Sequence, residues 1–168
     1  MRANLFPNSL SGNAGERLLS GYQRLGQTLC GRKGSVWVRA LFEHQPRLAA
    51  ANLGYVEAVA ALRRRLPGDD WERVQAQLSI DWQNMMQLET SRAVIERAVI
   101  LARQFKLRGA DAVHLAAALL LHELLAEVSE SVVLVASDDE LLSTAELEGL
   151  HTENPCTGDT TTQASGIR

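Results

Sequence analysis

The residues best suited to chemistry in this chain are carboxylates at the edges of apolar segments. Asp111 stands in Leu107-Arg108-Gly109-Ala110-Asp111-Ala112-Val113-His114-Leu115-Ala116, at the head of a run that continues through Leu119, Leu120 and Leu121. A carboxylate so close to a core needs a partner, because desolvating an unpaired charge costs several kcal/mol. A second acidic spot, Ser137-Asp138-Asp139-Glu140, follows the apolar run Val132-Val133-Leu134-Val135. Acids at strand ends and helix starts suit a shared metal site, and they suit ordinary helix capping equally well. Glu57 falls on the inward side of its helix by spacing, which makes it a third candidate.

The elements that must position these acids follow from periodicity. Leu48-Ala49-Ala50-Ala51 is a short strand. Tyr55 to Arg65 is helical, with Val56, Val59, Ala60 and Leu62 inward and Arg63-Arg64-Arg65 at the end that the helix dipole favours for cations. Pro67-Gly68 breaks it. Trp71 to Trp82 is a second amphipathic helix, Met85 to Leu88 a short strand, and Ser91 to Gln104 a helix with Val94, Ile95, Ala98 and Leu101 on one face. Ala110 to Val128 is a long apolar helix. Val132 to Ala136 is the best strand in the chain, and Asp138 to Leu147 is a helix ended by Gly149. Helices alternating with short apolar strands predict an α/β fold with a parallel sheet covered on both faces. Ser35 is placed to cap a further helix carrying Trp37. Residues 1–33 are interrupted by five glycines and show no strand, and residues 156–168 read as a disordered tail.

A length of 168 residues suits one domain with its own core, and 46% hydrophobic with 22% charged residues is the balance of a globular protein. A net charge of −3 gives no global attraction to nucleic acid, so any such contact uses local basic residues. No uninterrupted apolar run reaches the roughly 18–20 residues of a membrane span, and Met1 to Pro7 lack the apolar stretch of a secretory signal. Cys30 and Cys156 lie near opposite ends with no metal-ligand spacing, so both are expected as free thiols in a reducing cytoplasm. Trp37, Trp71, Trp82 and Phe105 read as core or interface residues. Arg63, Arg64, Arg65, Arg103, Lys106 and Arg108 read mostly as solvated helix ends. Arg108 flanks Asp111 and is the best placed of them to meet a phosphate.

Three stretches together resemble a PIN domain of the VapC type, the ribonuclease toxins of bacterial toxin–antitoxin pairs. Asn52-Leu53-Gly54-Tyr55-Val56-Glu57 is similar to the family's early helix, where a glutamate faces the site. Leu107 to Ala116 matches the family's "LR..DA.HLA" pattern. Val135-Ala136-Ser137-Asp138-Asp139-Glu140, continuing to Glu148-Gly149-Leu150 and Asn154-Pro155, resembles its closing strand, acid, helix and "GL…NP" ending. The resemblance spans about residues 34–155 and implies a three-layer αβα domain with a central parallel sheet. It implies that Glu57, Asp111 and Asp138 are catalytic and bind Mg2+ or Mn2+ at the carboxyl end of that sheet, with Asp139 either an added ligand or the cap of the last helix. Magnesium prefers oxygen donors and keeps several waters. Two carboxylates about 4 Å apart repel by roughly 4 kcal/mol at an effective dielectric near 20, a cost that a divalent ion removes. It further implies an RNA substrate, a cognate antitoxin and homodimerisation, with no membrane partner.

One family feature is missing. The family opens with a central strand ending in a metal-binding aspartate, in a pattern like "LDTSALVKRYV", and the only acid in residues 1–33 is Glu16. A reading frame accounts for this. Gly21 to Cys30 can be encoded as GGA TAC CAG CGC CTT GGT CAA ACG CTA TGT. Without its first base that string reads Asp-Thr-Ser-Ala-Leu-Val-Lys-Arg-Tyr, at the right distance before Gly34-Ser35. The segment 1–33 is therefore expected to be a shifted frame, from a sequencing error, an error in gene prediction or a real frameshift. A sheet lacking its central strand loses ladder bonds and apolar burial. The chain as written is accordingly expected to be partly folded and weakly active, or else a non-catalytic binding module or pseudogene product. The encoding DNA checks this directly: a single-base shift near the Gly21 codon should restore the family's opening, and a DNA sequence in which no such shift does so overturns the idea.

Overall fold

The computed structural model describes residues 47–66 and 68–157. The expectations for residues 1–33, for the helix beginning at Ser35, for Trp37 and for Cys30 lie outside them. Over the described residues the chain is mixed α/β. In order it forms β1 (Ala49–Ala51), α1 (Asn52–Arg65), α2 (Gly68–Gln83), β2 (Met86–Leu88), α3 (Arg92–Gln104), α4 (Gly109–Ala126), β3 (Val133–Val135), α5 (Asp139–Leu147) and β4 (His151–Glu153).

All strand pairing is parallel. Ala49 to Ala51 lie opposite Met86 to Leu88, and Val133 to Val135 lie opposite His151 to Glu153. Among the described residues the strands form two pairs, β1-β2 and β3-β4; the segment where the expected first strand falls lies outside them. The pairs are held in a common frame at both ends. Arg47, just before β1, forms an ion pair of 2.5 Å with Glu130, just before β3. At the other end both pairs lead into the elements that carry the acids.

The core is built around α4. Its Ala112, Leu115, Ala116, Ala117, Ala118 and Leu119 are buried together with Ala51, Val94, Ala98, Leu101, Leu141, Ala145 and Leu150. Small side chains let neighbouring backbones approach closely, and α3, α5, α1 and β1 all pack on this helix. With 18 residues and a mean hydropathy of 1.3, α4 is long and apolar enough to cross a membrane, contrary to the expectation from uninterrupted runs. Here its middle, Ala112 to Leu119, lies in the core while its last turn with Leu124 is exposed, and Asp111, His114, His122 and Glu123 punctuate the helix.

A smaller cluster joins α1 to α2: Leu62, Val74 and Leu78 are buried, with Tyr55, Ala58, Val59, Leu66 and Trp71 against them. The inward face of α1 is thus 55-58-59-62, one helical stripe, and Val56, expected inward, is 62% exposed. Tyr55 stacks on Trp82 with ring centroids 4.9 Å apart, and Phe105 packs on the main core, so these aromatics are structural as expected.

The helix boundaries carry their signals. Ser91 Oγ accepts the Val94 N–H at 3.4 Å to start α3. Gly149 takes φ +91°, a backbone that costs glycine little, and the Leu150 N–H then reaches the Ala145 carbonyl at 2.9 Å to close α5. The chain does not end its order at residue 156. The Cys156 N–H donates to Asn154 Oδ1 at 2.9 Å, and Cys156 is disulfide-bonded, which corrects the expectation of free thiols. The remainder of the expected tail, 158–168, lies outside the described residues.

Because Leu115 is fully buried at the centre of this core, Leu115→Ala should cost about 2–5 kcal/mol of stability. Chemical denaturation followed by circular dichroism checks it, as a lowered midpoint at unchanged slope.

Candidate functional site

Asp111 is the hub. It lies in the first turn of α4, whose N-cap Arg108 makes no side-chain cap. The carboxylate complements the helix dipole there. It is partly buried and its carboxyl is pushed above the ordinary aspartate value, first by burial and then by the charge of Asp138. The charge of Glu57 raises it further, while Arg108 and His114 pull it back down. Glu57, Asp111 and Asp138 come from three elements far apart in sequence, and they share one electrostatic field.

The other acids are placed by local structure. Glu57 sits on α1 and is 49% exposed, not inward as its spacing suggested. Its Oε2 is 2.7 Å from His114 Nε2, one turn beyond Asp111 on α4. Asp138 caps α5: its Oδ1 accepts the Leu141 N–H at 3.0 Å. The other oxygen remains for a second partner. Asp139, the alternative candidate for the cap, instead accepts from Asn154 Nδ2 at 3.1 Å and is not among the charges that act on Asp111. Arg108 is exposed beside Asp111, in reach of an incoming anion. Arg63 lies over the Trp71 ring, 5.6 Å from its centroid, and serves α1–α2 packing.

The donor set is one of hard oxygens with one imidazole, chemistry that suits a hydrated divalent cation. As placed, no three His, Cys, Asp or Glu among the described residues come close enough together to hold an ion. The sequence reading did not foresee that His114 binds Glu57. The spacing places residues 111 and 114 on one face of α4 but carries no sign of the partner on α1.

The raised carboxyl has a sign. The folded chain holds a proton on Asp111 more readily than the unfolded chain does, so this residue's contribution to stability declines as pH rises through its folded value. Asp111→Asn removes the charge and should raise the thermal midpoint in EDTA at pH 7 by about 1–3 °C. The gain should shrink as pH falls below the folded value, where wild-type Asp111 is already neutral. Calorimetric melts at several pH values check both statements. No protein-family model, curated protein or solved structure matches this chain.

Proposed function

We propose that this chain is a PIN-type, VapC-like ribonuclease that hydrolyses RNA phosphodiesters with Mg2+ or Mn2+. The observation that supports this most strongly is the shared field of Glu57, Asp111 and Asp138, read in the raised carboxyl of Asp111. A half-buried carboxylate that also feels the charges of two other acids is costly to ionise, and a bound cation offsets that cost. The parallel strand pairs and the helices around them are compatible with the three-layer αβα fold of that family. In this reading Asp111, Glu57 and the uncapped oxygen of Asp138 would hold the ion, and Arg108 would meet the phosphate backbone. The bound ion supplies a water of lowered pKa and neutralises charge on the scissile phosphate. The substrate is RNA, and the partners are a cognate antitoxin and a second copy of the chain. The proposed compartment is the cytoplasm, where the Cys156 disulfide would be reduced.

A second reading is favoured by two features: a non-catalytic PIN-like binding module or pseudogene product. Among the described residues β1 and β3 belong to separate pairs. The acids among the described residues also do not close on a three-donor site.

Labelled RNA incubated with the purified full chain separates the readings. The ribonuclease reading expects cleavage that EDTA stops and Mn2+ or Mg2+ restores. Asp111→Asn and Glu57→Gln should each lower it by about 100-fold or more, as for loss of a group that acts with the metal. No cleavage with either metal, from a chain that melts cooperatively, favours the binding module.

A further inference from the structure

The second half of α4 carries an apolar stripe that extends beyond the core. Ala117, Leu120, Leu121 and Leu124 follow one another at i, i+3, i+4 and i+7, the spacing by which one helix receives another. Ala117 and Leu120 pack into the core, whereas Leu124, and Val128 in the turn that follows, are 66% and 65% exposed. Between this stripe and the start of α3 runs an open groove of about 570 Å3, with Leu88 and Val94 on its other side. Its rim is acidic: Glu89, Glu123 and Glu127 border it, and among the described residues no Lys, Arg or His lines it. Glu89 and Glu127 are exposed and form no ion pair among the described residues. Glu123 meets Arg97 only at 3.9 Å, and that guanidinium is nearer Glu148, at 3.4 Å. Glu127 is the C-cap of α4, and no cation stands in the last turn of the helix. A helix C-terminus is partly negative, so carboxylates there oppose the dipole and gain nothing locally from their place.

An apolar floor with a rim of one sign fits an occupant that is apolar on one side and cationic on its flanks. The same rim repels the anionic surface of a nucleic acid or an acidic lipid. The helical spacing of the stripe selects a helix over an extended segment, and from Ala117 to Glu127 α4 offers it about 15 Å, or about three turns. We propose that the groove between α4 and the start of α3 is a docking site for a cationic amphipathic helix of a partner protein. Its apolar side chains enter beside Leu121 and Leu124, and its Lys or Arg flanks meet Glu89, Glu123 and Glu127. The site is independent of the ribonuclease reading: it lies on the half of α4 away from Asp111 and shares no residue with the acids there.

The probe is a fluorescein-labelled synthetic peptide of about eighteen residues, with leucines at i, i+3, i+4 and i+7 and lysines on its flanks. It is titrated with the full 168-residue chain and followed by fluorescence anisotropy. Binding should saturate at one peptide per chain and weaken as salt is raised. A peptide with the same leucines and glutamates in place of the lysines should bind at least about tenfold more weakly. Leu124 and Glu127 are exposed, so Leu124→Ser and Glu127→Lys should leave the thermal midpoint unchanged while each weakens the lysine peptide by about tenfold. Glu72→Lys, the same charge change at an exposed site on α2, should leave the affinity within about twofold of wild type. An equal loss in Glu72→Lys and Glu127→Lys marks attraction to net charge alone and overturns the inference. Undiminished binding by Leu124→Ser overturns it too. Sedimentation equilibrium and vesicle flotation decide between the other occupants. A wild-type dimer that Leu124→Ser dissociates gives the groove to a second copy, and flotation with phosphatidylcholine vesicles that the same change abolishes gives it to a lipid surface. Either result overturns the inference.

Discussion

The burial of α4 is the constraint on which the other placements depend. Its alanines at 112, 116, 117 and 118 admit neighbouring elements to short distances, and Leu115 and Leu119 fill what remains. β1 and Leu88 of β2 lie on this core, and so do Leu134 of β3 and Leu141 of α5. The strand pairs share no hydrogen bonds with each other among the described residues, so this helix and the Arg47–Glu130 ion pair are what relate them. An ion pair at the surface is screened by solvent and contributes little. Apolar burial at about 25 cal/mol per Å2 over a dozen core residues is the larger effect by far. The frame of the acidic site is therefore set by packing, and charge only adjusts it.

That ordering explains why the site can be electrostatically strained. Asp111 begins the helix that gives the most residues to the core, so its position is fixed by the leucines and alanines behind it and not by a partner for its charge. Glu57 and Asp138 are then brought up by α1 and by the turn into α5. Asp138 is fixed because it must cap α5, and Glu57 is fixed by His114. Each acid has a local reason for its place that owes nothing to the others. The raised carboxyl of Asp111 is what remains once those reasons are met: burial raises it first, and the charge of Asp138 adds to it.

Much of the fold was legible in the sequence where periodicity was strong. The helices at 52–65, 68–83, 92–104, 109–126 and 139–147 and the strands at 49–51, 86–88 and 133–135 fall within a few residues of where spacing put them. β4 was not legible: His151-Thr152-Glu153 has no apolar pattern, and its extended form comes from hydrogen bonds to β3. The face of α1 was misread at Val56, because α1 buries itself against α2 through Tyr55, Ala58, Val59 and Leu62, a choice made by tertiary contact. Asp111 and Asp138 were visible as candidates from position alone. That they feel each other's charge was not, since it depends on how β3 and α4 are set side by side. The Glu57–His114 bond was hidden for the same reason, because no periodicity on one helix reports what lies on another.

The connection between α3 and α4 also bears on how the chain acquires its shape. These two helices are joined by the short link Phe105 to Arg108 and pack along each other. Closing so short a loop carries little entropic penalty, whereas β1 must find β2 across the whole of α1 and α2, and β3 must find β4 across α5. Local contacts of this kind form early on a folding pathway, and distant strand registry waits for them. The α3–α4 hairpin is then the natural nucleus, and the acids would gather only in the last stage, when strand order is already complete.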